Sequence, residues 1–244
     1  MGFLMISAAV FAQQGNRWFE EGNAAYGDGD YETALAKYDS IVANGEESAA
    51  LYYNMGNTYY KMRQFPMAIL YYEKALKLSP GDEDLRVNLE IANLAVVDKI
   101  NTIPQSFIAR WWNGAKSSLS ADGWAWVGVA LLALFLVCMF AFLMGRRTGL
   151  RKAGFYAGLL LLACLVLSVF FAVGNYRQLQ RQDQAIVTTP TVTVKSSPSE
   201  NSVDLFVLHE GAKVRIMGSA NGWNQIKIAD GSVGWLQSEA MTAF

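Results

Sequence analysis

Few residues in this chain are of the types that carry enzyme chemistry, and their spacing assembles no catalytic set. There is one histidine, His209, whereas a metal centre needs several ligands and a nucleophile needs a base beside it. His209 is expected as a solvated loop residue. Cys138 and Cys164 each fall inside an uncharged apolar run, where a thiol acts as a small hydrophobe. No GxxxxGK[ST] phosphate loop occurs. The neighbouring carboxylates Glu20-Glu21 and Glu46-Glu47 read as solvated helix faces. The sequence therefore predicts a non-enzyme with no cofactor and no metal. Binding surface is what remains, and Asn and Tyr carry it.

Those residues recur. Gly22 and Gly56, Asn23 and Asn57, Tyr26 and Tyr60, Tyr31 and Phe65, Ala34 and Ala68, and Tyr38 and Tyr72 all pair at an offset of 34 positions. That period belongs to a helix-turn-helix solenoid. With Trp18, Gly22, Ala34 and Tyr38 in the first unit, and Tyr52, Met55, Gly56, Tyr59, Ala68, Tyr72, Ala75 and Pro80 in the second, the segment resembles a pair of tetratricopeptide (TPR) repeats. A third helix from about Asp82 to Asp98, opened by Asp82-Glu83-Asp84, is expected to cap a TPR region spanning 15–98. The resemblance assigns the concave groove to Phe19, Asn23, Tyr26, Tyr53, Asn54, Asn57, Tyr60 and Asn88, although several of these tyrosines are alternatively packing between helices. Asn amides can bond both groups of an extended backbone, and Tyr adds area with a polar tip. Phe19 and Asp84 stand where the family places basic clamps for a free carboxyl terminus, so the groove is expected to take an internal extended segment.

Charge narrows the partners. Residues 15–98 hold 14 acidic and 7 basic residues, a net of −7, which argues against nucleic acid. Hydrophobic residues make up 52% of the chain, concentrated in two uncharged runs, 124–144 and 153–174. Each is long enough to cross a bilayer core of roughly 30 Å as a helix. Between them, residues 145–152 carry four basic and no acidic residues, so the positive-inside rule puts this loop in the cytoplasm. The stretch 1–12, ending Val10-Phe11-Ala12, fits a signal peptide cleaved after Ala12; alternatively it is an apolar N-terminus packed on the first repeat. With the signal peptide, both soluble parts lie outside the cytoplasm, on the periplasmic side of a bacterial inner membrane.

Within the linker 99–123, Phe107, Ile108, Trp111, Trp112 and Ala115 fall on one helical face. They suit either a helix lying on the membrane or a face packed under the repeats. Residues 185–244 break into short β-branched runs divided by turns, which suggests five or six strands in a small closed barrel. The order Val194-Lys195-Ser196-Ser197-Pro198-Ser199, Leu208-His209-Glu210-Gly211, Asn221-Gly222-Trp223 and Asp230 to Leu236 resembles a bacterial SH3 domain, with Trp223 and Trp235 as barrel core or ligand surface. Such domains often bind cell-wall peptides or protein tails.

The whole order adds a narrower likeness. Signal, repeat pair, Arg110-Trp111-Trp112, the entry Ser120-Ala121-Asp122-Gly123-Trp124-Ala125-Trp126, hairpin and SH3 domain together resemble the E-type member of the Bacteroides aerotolerance (Bat) group. That resemblance implies a membrane scaffold beside von Willebrand factor A-domain proteins, other Bat-type proteins and a MoxR-type ATPase. Peptidoglycan peptides are the alternative ligand. The expected fold is multidomain: an all-α solenoid, a transmembrane hairpin and a small all-β barrel.

Overall fold

The computed structural model describes residues 2–99 and 106–244, with side chains from residue 14 onward. Part of the linker (100–105) lies outside that description, and the expected cleavage point after Ala12 falls within the first helix. The chain divides into two compact units: 1–78 with 82–104 and 182–244, and 79–81 with 105–181.

The first unit begins with five helices, α1 (Gly2–Gly27), α2 (Tyr31–Ala43), α3 (Ala49–Lys61), α4 (Phe65–Leu78) and α5 (Glu83–Leu94). Capping residues set three of the starts. Asp30, Ser48 and Asp82 each accept a hydrogen bond from the backbone N–H three residues on, satisfying a donor that the first turn leaves open. The turn between paired helices requires a left-handed residue. Gly29 supplies it in the first repeat (φ +80°), and Arg63, 34 positions later, supplies it in the second (φ +61°).

The repeat is reproduced contact by contact. A methyl group added at Gly22 would sit 2.5 Å from the Tyr38 ring, and one at Gly56 would sit 2.6 Å from the Tyr72 ring. Ring centroids of Phe19 and Tyr38 lie 6.1 Å apart and those of Tyr53 and Tyr72 6.2 Å; Tyr26–Tyr31 and Tyr60–Phe65 stand at 5.6 and 5.5 Å. Ala34 and Ala68 are completely buried where the helices close on each other. Leu85, Ala92 and Val96 bring α5 onto the same core.

The capping role expected of α5 is shared. Its outer stripe, Val87, Ile91 and Leu94, is exposed, while Ile186 and Phe244 of the β segment join the repeat core. Asp98 ties this junction: its carboxylate accepts from the His209 backbone N–H at 2.6 Å and lies 2.8 Å from His209 Nδ1. Lys213 pairs with Glu73 at 2.7 Å, and Val96 fills the space beside Gly211, where a side chain would collide.

The β segment forms a seven-stranded antiparallel sheet: β1 (Gln184–Val187), β2 (Thr191–Lys195), β3 (Asp204–His209), β4 (Lys213–Ala220), β5 (Trp223–Lys227), β6 (Val233–Gln237) and β7 (Met241–Ala243). Their order is β3-β2-β6-β5-β4-β1-β7. The sheet is not closed, in contrast to the barrel expected from the sequence: β3 and β7 are its edges. Physically, the ladder between β2 and β6 consists of one pair, Lys195 with Trp235, so the strands splay there. Alternation places Val194, Val214, Ile226 and Leu236 in the core.

The second unit contains α6 (Phe107–Ser117), α7 (Ala121–Met144) and α8 (Thr148–Gln180). The last two are long and apolar enough to cross a membrane. Both outrun the uncharged spans, so the connection shrinks to 145–147, and Arg151 and Lys152 ride on the first turns of α8. Small residues let the backbones approach: a methyl group at Gly154 would lie 2.8 Å from the Cys138 carbonyl oxygen. Ser168, buried between the helices, donates to the Trp124 carbonyl at 2.6 Å, satisfying a hydroxyl that hydrocarbon would leave unpaired. On α6, Trp112 packs on Phe171 with centroids 5.0 Å apart, while Phe107, Ile108 and Trp111 stay exposed.

Candidate protein-binding groove

Helical spacing aligns Asn23 and Tyr26 on α1, Tyr53, Asn54, Asn57 and Tyr60 on α3, and Asn88 on α5. These helices are cross-linked along one row. Asn54 Nδ2 donates to Asn23 Oδ1 at 2.8 Å, and Asn88 Nδ2 donates to the Tyr53 hydroxyl oxygen at 2.8 Å. From the outer helices, Tyr38 donates to Asn23 Oδ1 at 2.8 Å and Tyr72 to Asn57 Oδ1 at 2.7 Å. A hollow of about 220 Å³ opens between Asn23, Tyr26, Tyr38, Asn54 and Asn57.

Four of the eight expected groove residues (Asn23, Tyr26, Asn54 and Asn57) thus line one hollow. Tyr53 and Asn88 extend the row. Phe19 and Tyr60 are half-buried and pack against the repeat core together with Tyr26 and Tyr53. The asparagine side chains do not stand clear of the repeat core, because buried Tyr38 and Tyr72 need Asn23 and Asn57 as hydrogen-bond acceptors. Tyr38 was legible only as a repeat residue, and its hydroxyl at the hollow was missed.

The hollow is neutral and aromatic. No lysine or arginine lines it. Burial pushes the Tyr38 phenol up to about 12, with a hydrogen bond from Asn54 opposing the rise. Burial also raises Tyr72 and Tyr26, reinforced by neighbouring tyrosines. These phenols therefore stay protonated donors at physiological pH. Two donors fill the lone pairs of Asn23 Oδ1, leaving its amide N–H groups for a ligand; Asn54, donating to Asn23, offers its Oδ1. An amide donor beside an amide acceptor matches the C=O and N–H of an extended peptide.

The expectation for His209 is corrected. It ends β3, half-buried, with Asp98 holding both its ring and its backbone N–H. Trp223 and Trp235 are both half-buried. Trp235 stands across the ladder from Lys195. Trp223 walls a second hollow of about 550 Å³, which also includes Thr191, Thr193, Lys195, Glu200 and Glu239. Sequence reading had singled out only the tryptophan there; the Thr-Val-Thr-Val-Lys alternation of 191–195 was the available signal.

The chain is 41% identical over 66 residues to human Tetratricopeptide repeat protein 6, a match covering 27% of this chain and 12% of that protein. The tetratricopeptide repeat family model matches residues 49–82, the segment holding α3 and α4. The chain contains a tetratricopeptide repeat, a unit that suggests protein–protein interaction.

Proposed function

We propose that the protein is a non-catalytic membrane scaffold whose repeat groove holds an extended, internal segment of a partner protein. The observation that carries this reading is the asparagine row: neutral amides held at fixed spacing by buried tyrosines, with no cation in the hollow to grip a carboxyl terminus. The two apolar helices supply the anchor. The basic residues Arg146, Arg147, Arg151 and Lys152 support a cytoplasmic hairpin turn, with both soluble parts on the periplasmic side of a bacterial inner membrane. The β segment is read as an SH3-like module in which the splayed ladder departs from a closed barrel. The Bat likeness supports partners among von Willebrand factor A-domain membrane proteins. Binding of cell-wall peptides through the β segment is the second reading, favoured by the hollow at Trp223.

Two measurements test this. Impermeant thiol labelling of spheroplasts should modify Ser48→Cys and Asn201→Cys and spare Thr148→Cys; the reverse pattern overturns the topology. Asn54→Arg fills the hollow without touching the Tyr72–Asn57 bond. It should cut co-purification of membrane partners at least about tenfold, the effect of losing roughly 1.4 kcal/mol. Unchanged recovery removes the groove as the binding site.

A further inference from the structure

The β segment holds a second site independent of the repeat groove. Strand β2 pairs with β3 from Thr191 to Lys195, but with β6 only at Lys195. Beyond that pair the β6-facing edge of β2 runs on to Thr191 without a ladder partner among the described pairs, and the 550 Å³ hollow opens in the gap. Thr191, Val192, Thr193 and Lys195 of β2 all line the hollow, while Val194 is fully buried. The register irregularity opposite this stretch puts its extra residue, Leu205, on β3, so the alternation of β2 is unbroken.

The charges in the hollow are not balanced. Lys195 Nζ lies 2.5 Å from Asp204 Oδ1, so its charge is already matched. Glu200, in the turn between β2 and β3, and Glu239, in the short 3-10 helix after β6, line the same hollow as Trp223; Gln237, across the ladder from Trp223, donates to Glu200 Oε1 at 2.8 Å and fixes that carboxylate. An indole face flanked by carboxylates attracts a cation. An open strand edge attracts an extended backbone.

We propose that this split in the sheet binds an extended polypeptide segment carrying a lysine or arginine. The backbone of that segment pairs with the β6-facing edge of β2, and its cationic side chain lies against Trp223 between Glu200 and Glu239. An anionic ligand is disfavoured because the one cation of the hollow is spoken for by Asp204.

The test is isothermal titration calorimetry of the full chain in detergent with acetyl-Ala-Val-Lys-Val-Ala-amide, set against the same peptide with norleucine for lysine. The lysine peptide should bind saturably at one site, and norleucine should weaken it about tenfold, as loss of a cation–aromatic contact and two charge pairs demands. Glu200→Gln and Glu239→Gln each should weaken binding several-fold, and raised salt should act in the same direction. Both substitutions sit at the rim, and hydrogen exchange of the strands checks that the sheet is intact. Asn54→Arg in the repeat groove should leave this binding unchanged. Absence of saturable binding, equal affinity for the norleucine peptide, indifference to both glutamine variants, or loss of binding in Asn54→Arg would each overturn the assignment.

Discussion

Replacing Gly56 by alanine sets two well-measured effects against each other. In an exposed helix, Gly→Ala stabilises by up to about 1 kcal/mol because the glycine backbone loses more freedom on folding. At Gly56 the new methyl carbon would stand 2.6 Å from both Cδ1 and Cε1 of Tyr72 and 3.1 Å from Cγ. These atoms belong to a rigid ring, so the side chain cannot bend away. Tyr72 is 2% exposed, and its hydroxyl is held at 2.7 Å by Asn57. Moving the ring therefore strains the packing and stretches that hydrogen bond. Overpacking costs about 1–3 kcal/mol and the bond about 1 kcal/mol, so the net expectation is a loss of about 2 kcal/mol. Hydrogen exchange of α3 and α4 amides in the detergent-solubilised chain should accelerate about thirtyfold, the equivalent of that loss. Gly114→Ala is the control: no atom lies within 4 Å of its would-be methyl group, so helix propensity should act alone and α6 should exchange more slowly. If Gly56→Ala slowed exchange or left it unchanged, the close helix contact would be wrong.

Arg63→Gly should stabilise the second repeat by about 0.5–1 kcal/mol, measured by the same exchange, because it relieves a left-handed backbone (φ +61°) that glycine adopts in the first repeat. Asn57→Ala should cost about 1–3 kcal/mol by orphaning the buried Tyr72 hydroxyl, and adding Tyr72→Phe should return part of that loss in a double-mutant cycle. The Tyr38 phenol is raised from 10.0 to about 12 in the folded chain, so the unfolded chain gives up its proton first. Stability from this group is full below pH 10 and is lost as pH climbs toward 12; Tyr38→Phe should flatten that alkaline slope in urea titrations followed by exchange.

How much of this was legible follows from the range of each interaction. The 34-residue offset of Gly22, Asn23, Tyr26 and Tyr38 with Gly56, Asn57, Tyr60 and Tyr72 predicted the helix pairs because a repeat restates the same local contacts, and α1 to α4 restate them to within 0.1 Å in three of the distances above. The two apolar helices were equally plain, since lipid-length hydrophobicity is a property of composition. What the period could not reveal was how the asparagines are used. An amide at a groove position reads the same whether it faces a ligand or caps a buried phenol, and only the Tyr38 and Tyr72 hydroxyls, 15 residues further along the chain, decide between the two.

Across the junction the sequence was silent for a related reason. Asp98 and His209 are separated by 111 residues, and neither carries a local pattern that points to the other. The sequence suggested five or six strands where there are seven; β1 and β7, four and three residues long, are hard to read because each owes its place to long-range pairing. Ile186 of β1 turns into the repeat core while its neighbours Ala185 and Val187 fill the sheet core. A strand whose alternate residues belong to two cores ties the repeat helices to the sheet. Destabilising either core should therefore loosen the other, and Ile186→Ala should speed hydrogen exchange in both the repeat helices and the strands.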